Sequence, residues 1–216
     1  MKEDRNLRLR RLVRKLNSIR MAQKKQIDIL CNDILSAHGE FINHLKSFRF
    51  AADFYESLLG AANLDAIAAS AGDFLTKNTA GCSVAIIFTA SDPLRQQNEA
   101  SALQIHFYSE DPQLEDIPSH IRQTLTAKMV ESVCHSSKIC SADDLCKMGF
   151  FAGPAILKRI SLATIGLNNT GPALGMILLY RSADKPLSNS EISTVSSAVK
   201  GLSKAVKVLQ NANTIA

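Results

Sequence analysis

The chain has 216 residues, 46% hydrophobic content and a net charge of +5 at pH 7. These values fit one globular domain with an extension, or two small domains. The sequence also excludes a membrane-spanning helix, because no apolar run approaches the roughly 20 residues that such a helix needs. The N-terminus lacks the apolar block of a signal peptide, and the five cysteines include no Cys-x-x-Cys pair. We therefore expect a cytoplasmic protein with reduced thiols.

The first 60 residues predict one long helix with a seven-residue apolar repeat. With Val13 at heptad position a, eight of the eleven a and d positions through Phe48 are apolar. This pattern is typical of a left-handed coiled coil. We expect a homodimer through this helix, and the alternative is a helix that packs on its own domain. The residues expected at the interface are Val13, Leu16, Ile27, Leu30, Ile34 and Phe41.

The apolar repeat is weak near its start. Arg20 and Gln23 occupy consecutive a and d positions, and polar residues there weaken pairing while fixing its register. Upstream of them a shifted register fits equally well, so a stutter near Gln23 would join the two. Secure pairing is therefore expected only from Ile27 onward.

Residues 1–25 form a basic arm. They contain ten Lys/Arg and two acidic residues, a net charge of +8, whereas residues 26–216 sum to −3. Such an arm attracts nucleic acid, an anionic membrane surface or an acidic partner. It has no aromatic residue to stack on bases. The alternative is a solvated beginning of the coiled coil.

Residues 59–216 predict a mixed α/β domain, and residues 1–58 the arm and helix that precede it. Hydrophobic periodicity, turn residues and capping residues assign the elements. The last helix has a strict a/d stripe, and we expect its Val199 and Leu202 to join the dimer interface. In chain order the predicted elements are a helix over 63–78, strands over 82–90 and 101–110, a helix over 119–135, a strand fragment or loop over 138–145, strands over 156–168 and 173–182, and a helix from Ser188 or Ser190 onward.

The end of the chain resembles the GAF domain. It has a strand, a glycine-bearing hairpin, a strand that begins with Gly175, a short Pro186–Glu191 segment and a final helix. The resemblance covers about residues 62–210. It implies an α+β fold with a mainly antiparallel sheet flanked by helices, here preceded by the long coiled-coil helix. It also implies that the first and last helices cover one face of the sheet, while a small-molecule pocket lies on the other.

The candidate ligand-binding residues follow from this resemblance and from strand alternation. If Leu103, Ile105 and Phe107 pack on the terminal helices, the alternate residues of that strand face the pocket. The alternative is a solvent-facing strand histidine and ordinary loop packing. The sequence identifies neither the ligand nor a cofactor. The candidate lining is His106, Tyr108, Phe150, Phe151 and Thr164.

No catalytic or metal-binding motif stands out. Cys134, Cys140 and Cys146 lack the tight ligand pairs of zinc sites, and no nucleophile–base pattern is recognisable. We therefore expect no enzyme and no metal. The interpretation is a dimeric GAF-type sensory protein that binds a small molecule and signals through its coiled-coil helices to a separate partner. The alternatives are a structural adaptor with a vestigial pocket, or a nucleic-acid or membrane tether acting through residues 1–25.

Overall fold

The computed structural model describes residues 2–79, 81–89, 103–109, 111–136, 138–150, 154–167 and 173–215. Seven α-helices and five strands occupy these ranges, with a short 3-10 helix at Pro112–Leu114. The helices are α1 (Lys2–Ser57), α2 (Leu64–Asn78), α3 (Ile117–Thr124), α4 (Ala127–Ser136), α5 (Ala142–Lys147), α6 (Pro154–Leu157) and α7 (Asn189–Ile215), and the strands are β1 (Ser83–Thr89), β2 (Leu103–Tyr108), β3 (Cys140–Ser141), β4 (Ile160–Gly166) and β5 (Gly175–Ser182).

The chain divides into two compact units, Met1–Lys46 and Ser47–Ala216. In the first unit, every side chain between Arg8 and Lys46 is exposed. The boundary falls earlier than the predicted one after residue 58. The reason is that Ala51 and Phe54, near the end of α1, are buried in the core of the second unit.

The second unit is built on a five-stranded antiparallel sheet in the order β2-β1-β5-β4-β3. The apolar run predicted as a central strand is β1, and every residue from Ser83 to Phe88 is buried. Strand β1 lies between β2 and β5, and Ile86 is opposite both His106 and Ile177. A strand covered on both faces explains this continuous apolar run.

Two helical layers cover the sheet. The first layer contains the end of α1 together with α2 and α7, and it buries Phe54, Leu75 and Leu202 against one face. The second layer contains α3 to α6 and buries Ile121, Leu145 and other apolar residues against the opposite face. This arrangement agrees with the implied α+β fold, including the covering of one face by the first and last helices of the domain.

Local capping explains where several helices begin. The side chain of Asn63 accepts a hydrogen bond of 2.7 Å from the Ala66 amide, as predicted for α2. Ser141 and Asp144 form a reciprocal capping box at α5. That helix was missed in the stretch predicted as a strand fragment or loop, although Ser141 and Asp144 have the required spacing.

The single helix predicted over residues 119–135 is wrong, because two helices occupy that stretch. Leu125 has an extended conformation (φ −79°, ψ 130°) and its amide closes α3 by bonding to Ile121. The Thr126 hydroxyl then accepts a 3.4 Å hydrogen bond from the Met129 amide at the start of α4. The apolar residues whose i+4 spacing predicts that single helix are nevertheless buried, so the break changes the path of the chain without exposing them: Ile121, Leu125, Met129 and Val133.

Candidate functional site

The five predicted pocket residues do not line one cavity. Leu103, Ile105 and Phe107 contact the α3–α6 layer rather than the terminal helices. Side chains alternate along a strand, so His106 and Tyr108 face the α2 side. The assumed orientation of β2 is therefore wrong, and these two residues are separated by the sheet from the layer that contains Phe150.

His106 and Tyr108 have structural surroundings on the α2 side. His106 Nε2 lies 3.5 Å from a carboxylate oxygen of Asp65 without forming a hydrogen bond, and its ring lies against Phe88. Tyr108 covers Gly72 so closely that a side chain on that glycine would collide with the Tyr108 ring. Burial raises the pKa of Tyr108, and the carboxylates of Asp73 and Asp65 raise it further.

Phe150 and Thr164 do lie in the α3–α6 layer. Phe150 is buried, and its amide bonds to the Leu145 carbonyl at 2.9 Å. The Thr164 hydroxyl is fully buried and donates a 3.3 Å hydrogen bond to the Cys140 carbonyl. Phe151 lies outside the described residues. Two of the five predicted residues thus share the layer in which the resemblance implies a ligand.

The sequence did not single out one further buried polar group in the same layer, the hydroxyl of Tyr180. Tyr180 is fully buried, and its hydroxyl has no hydrogen-bond partner among the described residues. The nearby Ser83 hydroxyl pairs with Ser109 at 2.7 Å. Burial raises the pKa of Tyr180 to about 12, and the neighbouring Ser83 hydroxyl, which is paired with Ser109, lowers that pKa only in part. The signal available in the sequence was a tyrosine at the end of the apolar run of β5. A buried hydroxyl costs free energy unless it has a hydrogen-bond partner.

A surface groove of about 760 Å³ lies where β1 begins and β5 ends. Cys82 is one of its lining residues, but burial raises the pKa of the Cys82 thiol to about 11. A thiol with this pKa is rarely a thiolate at neutral pH, so it is a poor nucleophile. The lining residues are Thr76, Gly81, Cys82, Asp111, Pro112, Gln113, Arg181, Ser182, Asp184 and Lys185.

Arg181, which contributes to this groove, is bound within the fold. Its guanidinium makes two 3.1 Å hydrogen bonds to the Glu191 carboxylate and one of 2.8 Å to the Pro186 carbonyl. Ser188 donates to the same carboxylate through its amide and hydroxyl. Burial opposes ionisation of Glu191, but these hydrogen bonds lower its pKa to about 2. This network connects β5 to the start of α7.

The predicted dimer-interface residues separate into two groups. Val199 and Leu202 of α7 are 6% and 0% exposed because they pack in the first layer of their own domain. Their assignment to a dimer interface is therefore wrong. The α1 residues of the prediction are each at least half exposed among the described side chains: Val13, Leu16, Ile27, Leu30, Ile34 and Phe41.

Within the described part of the chain, no group of three or more His, Cys, Asp or Glu side chains could hold a metal ion. All five cysteines are free thiols. Among the described residues, no helix has both the length and the apolar composition needed to cross a membrane.

Comparison with known proteins yields structural likenesses only. No family model and no curated protein sequence matches the chain. The GAF domain of a phosphoenolpyruvate-protein phosphotransferase from Coxiella burnetii is similar over 79% of this chain and 98% of that one, with 11% identity and a TM-score of 0.54.

Two further solved structures show the same likeness. The GAF domain of the Acinetobacter phosphoenolpyruvate-protein phosphotransferase covers 76% of this chain and 94% of its own, with 8% identity and a TM-score of 0.52. A GAF domain/HD domain protein from Geobacter sulfurreducens covers 70% and 97%, with 13% identity and a TM-score of 0.51. With the antiparallel sheet and its two helical layers, these likenesses show that the chain has the GAF fold.

Proposed function

We propose that this protein is a dimeric GAF-fold sensory protein. Two copies pair through α1, and the state of the GAF domain is relayed through these helices to a separate partner. The observation that carries the proposal is the uncovered apolar stripe of α1, whose large side chains are exposed along most of the helix. An apolar surface of this extent is typical of an interaction site.

The geometry of the stripe favours a second copy of the same helix. At 3.6 residues per turn, residues 18 apart point in the same direction. Leu9, Leu12 and Leu16 recur 18 positions later as Ile27, Leu30 and Ile34. The stripe therefore keeps one direction along α1. It continues at Leu45, 18 residues after Ile27, rather than at His44. A second copy of the same helix offers the matching surface. A strict heptad would instead drift by about 20° per repeat on a straight helix.

The end of α1 has contacts suited to coupling. Phe54 is buried against the sheet, and the Tyr55 hydroxyl donates a 3.3 Å hydrogen bond to the Ser197 carbonyl of α7. The Tyr55 ring packs so closely on Gly201 that a side chain there would collide with it. Strands β1 and β5 contact both helical layers. A ligand that shifts side chains in the α3–α6 layer would thus alter the packing around Phe54.

The proposed ligand site lies in the α3–α6 layer. The unpartnered hydroxyl of Tyr180 supplies a polar group inside this apolar layer, and Thr164 and Phe150 share it. Ligand pockets typically combine apolar walls with a few polar groups. We therefore expect a small molecule with a hydrogen-bonding group that reaches Tyr180. His106 and Tyr108 are omitted because they lie across the sheet.

A structural adaptor is the second candidate. It is favoured by the many large apolar side chains that fill the described part of the α3–α6 layer, including Ile117, Ile121 and Leu145. A thermal-shift screen of metabolites separates the candidates. A compound that stabilises the wild type by several degrees and loses its effect in Tyr180→Phe supports sensing, whereas a library without any such compound favours the adaptor.

Light scattering on the full chain tests the pairing. The double variant Ile27→Lys/Ile34→Lys places charges in the stripe and should convert a dimer to a monomer at tens of micromolar. The control Met21→Lys/Ile29→Lys substitutes two residues that are similarly exposed but lie away from the stripe. It should remain dimeric. A monomeric wild type, or equal dissociation of both variants, contradicts the proposed interface.

A further inference from the structure

The first part of α1 carries a basic face on the side opposite its apolar stripe. Between Asp4 and Asp28 the sequence has nine Lys/Arg and no acidic residue. The side chains of Arg10, Arg11, Arg14 and Lys25 are exposed on the helix. From Arg10 to Lys25 this face extends for roughly 22 Å at 1.5 Å per residue. We propose that it binds the phosphate backbone of duplex nucleic acid without sequence preference.

The direction of these side chains carries the proposal. At 100° per residue, Arg11, Arg14 and Lys25 lie roughly 135–175° from the centre of the stripe formed by Leu9, Leu12, Val13, Leu16 and Ile19. Pairing through the stripe therefore leaves these basic side chains on the outside. They lie along one side of α1, and the 22 Å face corresponds to between six and seven base pairs at about 3.4 Å each.

The same geometry disfavours a membrane surface. A helix that lies in a bilayer interface inserts its apolar face into the lipid. Arg11 and Lys25 would then point away from the headgroups, because they lie opposite that face. The first aromatic residue is Phe41, so the basic segment also lacks an aromatic interfacial anchor. Single strands are disfavoured for a related reason, since their bases stack on aromatic side chains.

Charge repulsion within the face gives a second argument. Arg10 and Arg14 are four residues apart, as are Arg11 and Lys15, and like charges at this spacing destabilise a helix. No carboxylate between Asp4 and Asp28 relieves them. A polyanion does so from outside and releases its own counterions on binding. The face is present on each helix, so the proposal does not rest on pairing.

Fluorescence anisotropy of the full chain with a labelled 24-base-pair DNA duplex tests the proposal. The affinity is measured between 50 and 200 mM salt for two unrelated sequences, which should bind alike. The variant Arg11→Gln/Arg14→Gln/Lys25→Gln should lower the slope of log affinity against log salt by about three. The control Lys158→Gln/Lys204→Gln/Lys207→Gln removes the same charge from exposed positions of the GAF domain, and should leave the slope unchanged.

Three results would overturn the proposal: no anisotropy change at 50 mM salt, equal effects of the two triple variants, or binding to vesicles of phosphatidylcholine and phosphatidylserine (3:1) without binding to the duplex. The last result would assign the face to a membrane surface. Light scattering on the same samples reports the oligomeric state separately. A monomer that binds the duplex would remove the proposed dimer and leave this inference standing.

Discussion

Helices α1 and α7 carry similar apolar stripes but differ in where those stripes lie. The α7 stripe, which includes Val195, Val199, Leu202 and Val206, is buried against its own sheet. The stripe of α1 is exposed through the whole described part of the first unit. Periodicity thus identifies the apolar face of a helix without identifying what covers it. For α7 the cover is the sheet of its own unit, whereas the described α1 side chains from Arg8 to Lys46 are all exposed.

The largest expected effect separates the two stripes. Leu202→Ala removes a fully buried side chain and should lower the free energy of unfolding of the GAF-fold domain by about 2–5 kcal/mol. Leu30→Ala is the matched change in α1. It should weaken association and leave the domain's unfolding midpoint unchanged at a concentration where both proteins are monomeric. Denaturant titration and light scattering measure the two properties. Equal loss of domain stability in both variants would contradict the distinction.

A smaller effect concerns how α7 is held. The pKa of Glu191 falls from an ordinary value of 4.5 to about 2 in the folded protein. The unfolded chain therefore binds more protons between these pH values. The stabilisation is complete above pH 4.5 and is lost as the pH falls toward 2. In Glu191→Gln this part of the pH dependence should disappear, while stability at pH 7 decreases. Thermal unfolding from pH 7 to pH 2.5 measures both, and Asp184→Asn serves as an exposed control.

The smallest expected effect lies within α1 itself. Each copy brings a net charge of +8 in residues 1–25, so the beginnings of two parallel helices repel each other. Salt screens such exposed charges. Raising salt from 50 to 300 mM should therefore tighten the wild-type dimer a few-fold, because interactions between exposed charges are typically worth about 0.2–1 kcal/mol each. A chain lacking residues 1–25 should show little response in sedimentation equilibrium. If both respond alike, the repulsion does not act at this end.

The sequence predicted most elements correctly because their signals, a capping residue or a short hydrophobic pattern, are local. Asn63 marked the start of α2, and the apolar run of β1 marked a strand buried on both faces. The face of β2 could not be predicted, because alternation shows that Leu103 and Phe107 share a side but does not show which layer covers it. The break at Leu125 could not be predicted for a similar reason. Apolar residues recur every four positions from Ile121 to Val133, across both α3 and α4, so the pattern shows no interruption.

The candidate site was less predictable than the fold. Thr164 and Phe150 were predicted to line a pocket, and both lie on the side of the sheet that α3 to α6 cover. Tyr180 was overlooked because a tyrosine in a buried strand is usually read as a large apolar residue. Tyr180 is of interest because its hydroxyl has no hydrogen-bond partner among the described residues. Whether a partner is present depends on the side chains of the neighbouring strands. Ser83 is engaged with Ser109, and only the folded arrangement reveals that pairing.

The distribution of thiols determines how the protein can be followed in solution. Cys82, Cys134 and Cys140 are buried, Cys146 is partly covered, and Cys31 is exposed on α1. Burial raises the pKa of Cys82 and of Cys134, which slows their alkylation. A maleimide spin label or dye should therefore attach first at Cys31, beside the apolar stripe. The natural sequence thus provides a reporter on the helix proposed to pair, with no engineered cysteine needed.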